Sequence, residues 1–188
     1  AANVGVQTIW LSAIVGCIAG PLLGLAARPI CSAFGAEGAV LDHADTYLTI
    51  SAIGIPFVLV TLGTQGVLRG ASNYTTTLWI LLASNVANLL IELTLVYGLD
   101  QGVAGSAWST VISQVGAAVA FVLLVRRQLR PAVQRTPSWT AMAPLMTAGR
   151  HLLLRTGAML TVTSGSAAVA ARIDPPTLAA HQVVMSLF

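Results

Sequence analysis

Long apolar runs separated by short polar connections dominate the chain. The runs lie at Val6–Ala27, Tyr47–Leu68, Thr77–Tyr97, Val103–Val125 and Leu152–Ala171, and another opens at Thr177. Each full run is close to the roughly 20 residues that a helix needs to cross the hydrocarbon core of a bilayer. In lipid every backbone N–H and C=O must be bonded within its own segment, so runs of this length predict helices, and the alternation of a barrel strand is absent. The expected fold is an all-α integral membrane protein with about five full transmembrane helices and the start of a sixth.

Composition agrees with that reading. Hydrophobic residues make up 56% of the chain and charged ones 8%, with a mean hydropathy of +0.83, far from the balance of a soluble domain. The net charge of +3 comes from nine basic residues, all arginine, so their placement matters more than their sum and no nucleic-acid partner is implied. Arg69 and the group Arg126, Arg127, Arg130, Arg135 and Arg150 fall on connections of one side, whereas the other side holds only Arg28 and Arg172. The positive-inside rule then places the arginine-rich side in the cytoplasm of a multi-pass plasma-membrane protein.

The stretch 126–146, with four arginines and three prolines, is the one long linker and the expected boundary between two bundles. Residues 1–125 form the last four helices of a first bundle on this reading, and 147–188 the start of a second. The acidic connection Arg28–Asp45, with Glu37, Asp42, His43 and Asp45, is expected as a solvated external loop.

Small residues mark the packing seams. Gly16, Gly20 and Gly24 recur every fourth residue beside Pro21, a strip without side chains against which another backbone packs closely. Gly157, Thr161 and Gly165 repeat that spacing. The short connection Gly98–Gly102 makes the third and fourth helices antiparallel neighbours, and the small residues opening the fourth predict close packing on the third. Cys17 inside the first helix and Cys31 beyond its end are too far apart for a disulfide. His43, His151 and His181 are scattered, and no metal-ligand spacing occurs.

One polar spot interrupts the hydrocarbon. In the third run Asn85, Asn88 and Glu92 fall within about 60° of one another on a helical wheel. A carboxylate inside the bilayer costs roughly 2.5–3.5 kcal/mol on insertion scales, so it belongs where it faces a bundle interior or a water-filled cavity. Glu92 has no second carboxylate, serine–base pair or histidine pair evident as a catalytic partner, so an enzyme is not expected and no catalytic set is assigned.

Several motifs occur together in order: Gln65…Leu68-Arg69-Gly70, Asn85…Asn88…Glu92, Gly102…Gly105-Ser106-Ala107…Thr110…Gln114 and Ala179-Ala180-His181-Gln182. The set resembles the multidrug and toxic compound extrusion (MATE) transporters, in particular their DinF-like branch. The resemblance implies a fragment of a twelve-helix, two-bundle transporter: helices three to six, the cytoplasmic linker, helix seven and the start of helix eight. It also implies antiport of drugs or other organic, often cationic, compounds against H+ or Na+, with no other cofactor. Relatives place an Asn and an Asp four residues apart on their fifth helix, and here Asn88 and Glu92 stand at those positions, with the acid one methylene longer. Glu92, Asn88, Asn85 and Thr110, which matches a cavity hydroxyl on the sixth helix, are the expected ion-coupling and substrate residues. The competing readings are a polysaccharide or lipid-intermediate flippase of the same superfamily and a structural membrane subunit. A flippase calls for cationic side chains inside the bundle, yet the arginines lie almost entirely at helix ends.

Overall fold

The computed structural model describes residues 2–128 and 136–173. The helices are α1 (Ala2–Ala33), α2 (Gly38–Gly70), α3 (Tyr74–Leu93), α4 (Gly102–Gln128) and α5 (Trp139–Ile173), with one π-helical turn, Thr94–Gly98, continuing α3. Among the described residues, four helices, α1 to α4, are long and apolar enough to cross a membrane. The fifth predicted run lies within α5. The run opening at Thr177 and the motif Ala179–Gln182 lie outside the described residues.

The helices extend beyond the apolar runs because a helix entering the headgroup region keeps its backbone bonds while its side chains turn polar. Two expectations change accordingly. Cys31 is inside α1 and buried, not beyond its end. The stretch Arg28–Asp45 is helical on both sides, and only Phe34–Glu37 connects α1 to α2. α1 stops there in a Schellman motif: Gly35, at φ 84°, donates to the Ser32 carbonyl (3.0 Å), and Ala36 donates to that of Cys31 (3.1 Å). Arg28 reaches across the turn to Asp42 (3.1 Å) and Asp45 (3.4 Å). The stretch 126–146 is likewise entered from both sides, by α4 to Gln128 and by α5 from Trp139.

α2 ends in the same type of cap built on Ser72 (φ 58°), where Asn73 donates to the Leu68 carbonyl (2.9 Å). Asn73 then accepts from the Thr76 amide through its side chain (3.4 Å) and so starts α3 after a turn of only three residues.

Contacts divide the chain into two units, Ala1–Met142 and Ala143–Phe188. In the first, α2 packs against α1 on one side and α4 on the other, and α4 also carries α3. The α1–α2 seam is the glycine strip: a Cβ on Gly16 would collide with the Pro56 backbone, and one on Gly20 would lie 2.7 Å from the Ala52 carbonyl oxygen. Gly24 is less constrained, since its Cβ would meet that of Ala52 at 3.5 Å. At Gly105 a Cβ would stand 3.1 Å from the Leu95 backbone, consistent with the expected close approach of α4 to the end of α3. A buried cluster of Leu68, Ala117, Phe121 and Val125 ties α2 to α4, and Ile9, Ile80 and Leu81 bring α1 and α3 onto it. In the second unit Gly157 and Gly165 meet nothing within 4 Å.

Candidate functional site

α3 touches α2 only lightly, while both lean on α4, and the wedge left among them is a cavity of about 310 Å³. α2 lines it with Val58, Thr61, Leu62 and Gln65, α3 with Leu81, Ser84, Asn85 and Asn88, and α4 with Thr110, Ser113, Gln114 and Ala117. Leu81 and Ala117 belong also to the apolar contacts around Phe121, so that cluster floors the cavity toward the ends of α2 and α4 that carry Arg69 and Arg126.

Asn85 and Asn88, which their spacing sets on one face of α3, meet in this lining with Thr110 of α4, a residue that only the resemblance implied. Glu92 does not line it. Four residues beyond Asn88, and thus about 6 Å further along the axis, it turns to α4 and accepts a hydrogen bond from the Ser106 hydroxyl at 2.6 Å. The carboxylate therefore has a partner that the sequence did not reveal. The two asparagines do not reach it: Asn85, exposed, donates to the Leu81 carbonyl of its own helix (2.8 Å), and Asn88 donates to the Ser109 hydroxyl (3.4 Å).

Most hydroxyl protons of the lining are spent inside the helices. Ser84 donates to Ile80 (2.8 Å), Thr110 to Ser106 (3.0 Å) and Ser113 to Ser109 (2.8 Å), each to a main-chain carbonyl one turn back. The carbonyl oxygen of Gln65 accepts from Arg69 (3.1 Å), which holds the buried carboxamide in place. What remains for a ligand on the serine, threonine and asparagine side chains is chiefly oxygen lone pairs. Such a lining suits a cation or a ligand rich in N–H groups.

Gln114 and Gly54 form a pair that sequence reasoning missed. The Gln114 carboxamide oxygen lies over Gly54, where a Cβ would collide with it, and this oxygen is buried without a hydrogen-bond partner. Thr61 Oγ1, on the α2 wall, is also buried and unpartnered. The available signal was a lone glutamine on an apolar run opposite an interior glycine, a pattern with many packing explanations. Among the described residues no group of His, Cys, Asp and Glu is arranged to hold a metal ion.

Comparison with known proteins adds a family context. A family model described as MatE matches residues 1–94. The protein DETOXIFICATION 44, chloroplastic, of Arabidopsis thaliana is 31% identical over 146 residues, which is 77% of this chain and 28% of that protein. DETOXIFICATION 42 of the same plant is 28% identical over 187 residues, 94% of this chain and 36% of its own length. The multidrug export protein MepA of Staphylococcus saprophyticus is 28% identical over 121 residues, covering 64% of this chain and 27% of MepA. A solved MOP superfamily transporter from Pyrococcus furiosus shares the fold, with a TM-score of 0.70 at 22% identity over 91% of this chain and 37% of that one. The chain thus spans about a third of the length of the proteins it matches.

Proposed function

Because this chain belongs to the MatE family, we propose that it supplies the greater part of the first bundle of a secondary active transporter that exports organic compounds. The observation that carries this reading is the cavity among α2, α3 and α4, whose mainly apolar lining is studded with uncharged polar side chains that offer acceptor oxygens. Asn88, Asn85 and Thr110 receive the substrate or the coupling ion, H+ or Na+, and Glu92 is the coupling acid. The DinF-type branch and the antiport direction are part of the same proposal, as is the placement in the plasma membrane with the connection before α5 on the cytoplasmic side.

In the geometry described, Glu92 is held off the cavity by Ser106. Its extra methylene relative to aspartate gives it the reach to do both jobs: engage α4 in one state and turn toward Asn88 in another. A carboxylate near an acceptor-lined cavity attracts a cation, and loading or unloading that cation is a differential interaction able to bias two conformations. A flippase for phosphate or uronate groups fits poorly, since an anionic headgroup would meet acceptor oxygens here without a cationic side chain.

The test is gradient-driven efflux of a fluorescent organic cation from energised vesicles containing the intact protein, with protein amount measured alongside. Glu92→Gln keeps the shape and cannot ionise, so efflux is expected to vanish, and Asn88→Leu is expected to weaken it. Full efflux by both variants would show that the polar spot is structural and overturn the assignment.

A further inference from the structure

Gln7 is the one carboxamide residue in the first apolar run, and its side chain is bonded through both its nitrogen and its oxygen. It is 1% exposed. Its Nε2 donates to the Thr136 carbonyl at 3.0 Å, and its Oε1 accepts from the Ser138 amide at 2.9 Å. These two main-chain groups flank Pro137, so the carboxamide bonds to them as a parallel β neighbour bonds to the groups on either side of one residue.

The held residue is the one that starts α5. The Ser138 carbonyl accepts the first helical bonds, from Ala141 (3.2 Å) and Met142 (3.0 Å), and its hydroxyl meets that of Thr140 at 2.9 Å. Met142 is 2% exposed and is the last residue of the first unit. Two residues later Pro144 lacks an N–H, which leaves the Thr140 carbonyl without its usual partner and interrupts the ladder of α5. The chain entering α5 is therefore bonded at one end by Gln7 and loosened just past Met142.

We propose that the Gln7 carboxamide is a positioning latch that fastens the start of α5 to α1, so that residues 136–142 travel with the first helical unit throughout the transport cycle. The cycle belongs to the transport reading above, whereas the latch is measured without transport, so failure of one is distinct from failure of the other. A connection fixed in this way transmits movement of α1 directly to the entrance of α5, in place of a slack tether that would absorb it.

Two measurements on the intact protein in lipid nanodiscs test the latch. Hydrogen exchange at residue resolution is expected to show the Ser138 amide protected, and Gln7→Leu is expected to release it by about tenfold or more, while α2 and α4 keep their protection. Gln7→Glu, which retains the acceptor oxygen, should preserve most of it. Spin labels at Ile18 and Thr140, with Gln7 intact, should give one unchanged distance at acid and alkaline pH, with or without sodium, and with or without ethidium as the organic cation. Equal exchange at Ser138 in the parent and Gln7→Leu proteins, or a distance that shifts with condition, would overturn the proposal.

Discussion

Substituting the three glycines of the α1 strip one at a time should give a graded series. At Gly16 the new methyl meets the Pro56 backbone, which cannot rotate aside, so the helices must separate along the seam. Overpacking of this kind costs about 1–3 kcal/mol, and the rigid obstacle puts Gly16→Ala at the upper end. Replacing glycine by alanine inside a helix returns about 1 kcal/mol, leaving a net loss near 2 kcal/mol. At Gly20 the obstacle is the Ala52 carbonyl oxygen at 2.7 Å, a milder overlap, and the net loss should be about 1 kcal/mol or less. At Gly24 the methyl finds the Ala52 Cβ at 3.5 Å, an ordinary contact, so the propensity gain survives and the protein should be slightly stabilised. For a cooperative unit of 150–250 residues, 2 kcal/mol corresponds to roughly 4–8 °C in melting temperature. Thermal unfolding of the purified protein in one detergent reads the series directly. Gly24→Ala melting as low as Gly16→Ala would show that the seam is not set by backbone approach at the first two positions, and the reasoning would fail.

Gly54→Ala should behave differently, because the obstacle is the movable end of Gln114: melting should change by less than about 1 kcal/mol, while efflux falls as the displaced carboxamide obstructs the cavity that Gln114 lines, and Gly54→Ala with Gln114→Ala should recover it by removing the obstruction. Arg28→Ala should cost less than about 1 kcal/mol, with the difference shrinking in molar salt, since Arg28 and Asp42 are exposed; a larger, salt-independent loss in melting would contradict this. Cysteine at Ala39 should react with an impermeant thiol reagent in intact cells and cysteine at Thr140 should not; the reverse labelling would invert the orientation.

The apolar runs made the membrane helices legible because burial in lipid demands a long, nearly unbroken hydrophobic face. The helix ends were not legible by that criterion, which is why Cys31 and the Arg28–Asp45 stretch were expected outside helices. Asn88 and Thr110 on facing helices were readable from spacing and family resemblance. The bond from Ser106 to Glu92 was not, since it depends on the axial register of α3 against α4, which no periodicity within either helix encodes. Asn85 illustrates another limit: it lines the cavity, yet an amide able to bond its own helix does so without reaching the acid. The role of Gln7 is not legible in the sequence, because a single glutamine in an apolar run carries no sign of the distant main chain it holds.

The π-helical turn at Thr94–Gly98 lies between the two partners of the Glu92–Ser106 bond. There Leu99 donates to the Thr94 carbonyl five residues back (3.1 Å), so the turn accommodates a residue more than an α-turn would. It behaves as a one-residue insertion absorbed within the helix. The interval between residues 92 and 106 is consequently elastic: a homologous chain one residue shorter in this stretch needs only an ordinary α-turn to set the same acid beside the same hydroxyl. Length variation here is therefore compatible with an unchanged pair, and the spacing counted along the sequence is a weaker guide to kinship at this point than the pair itself.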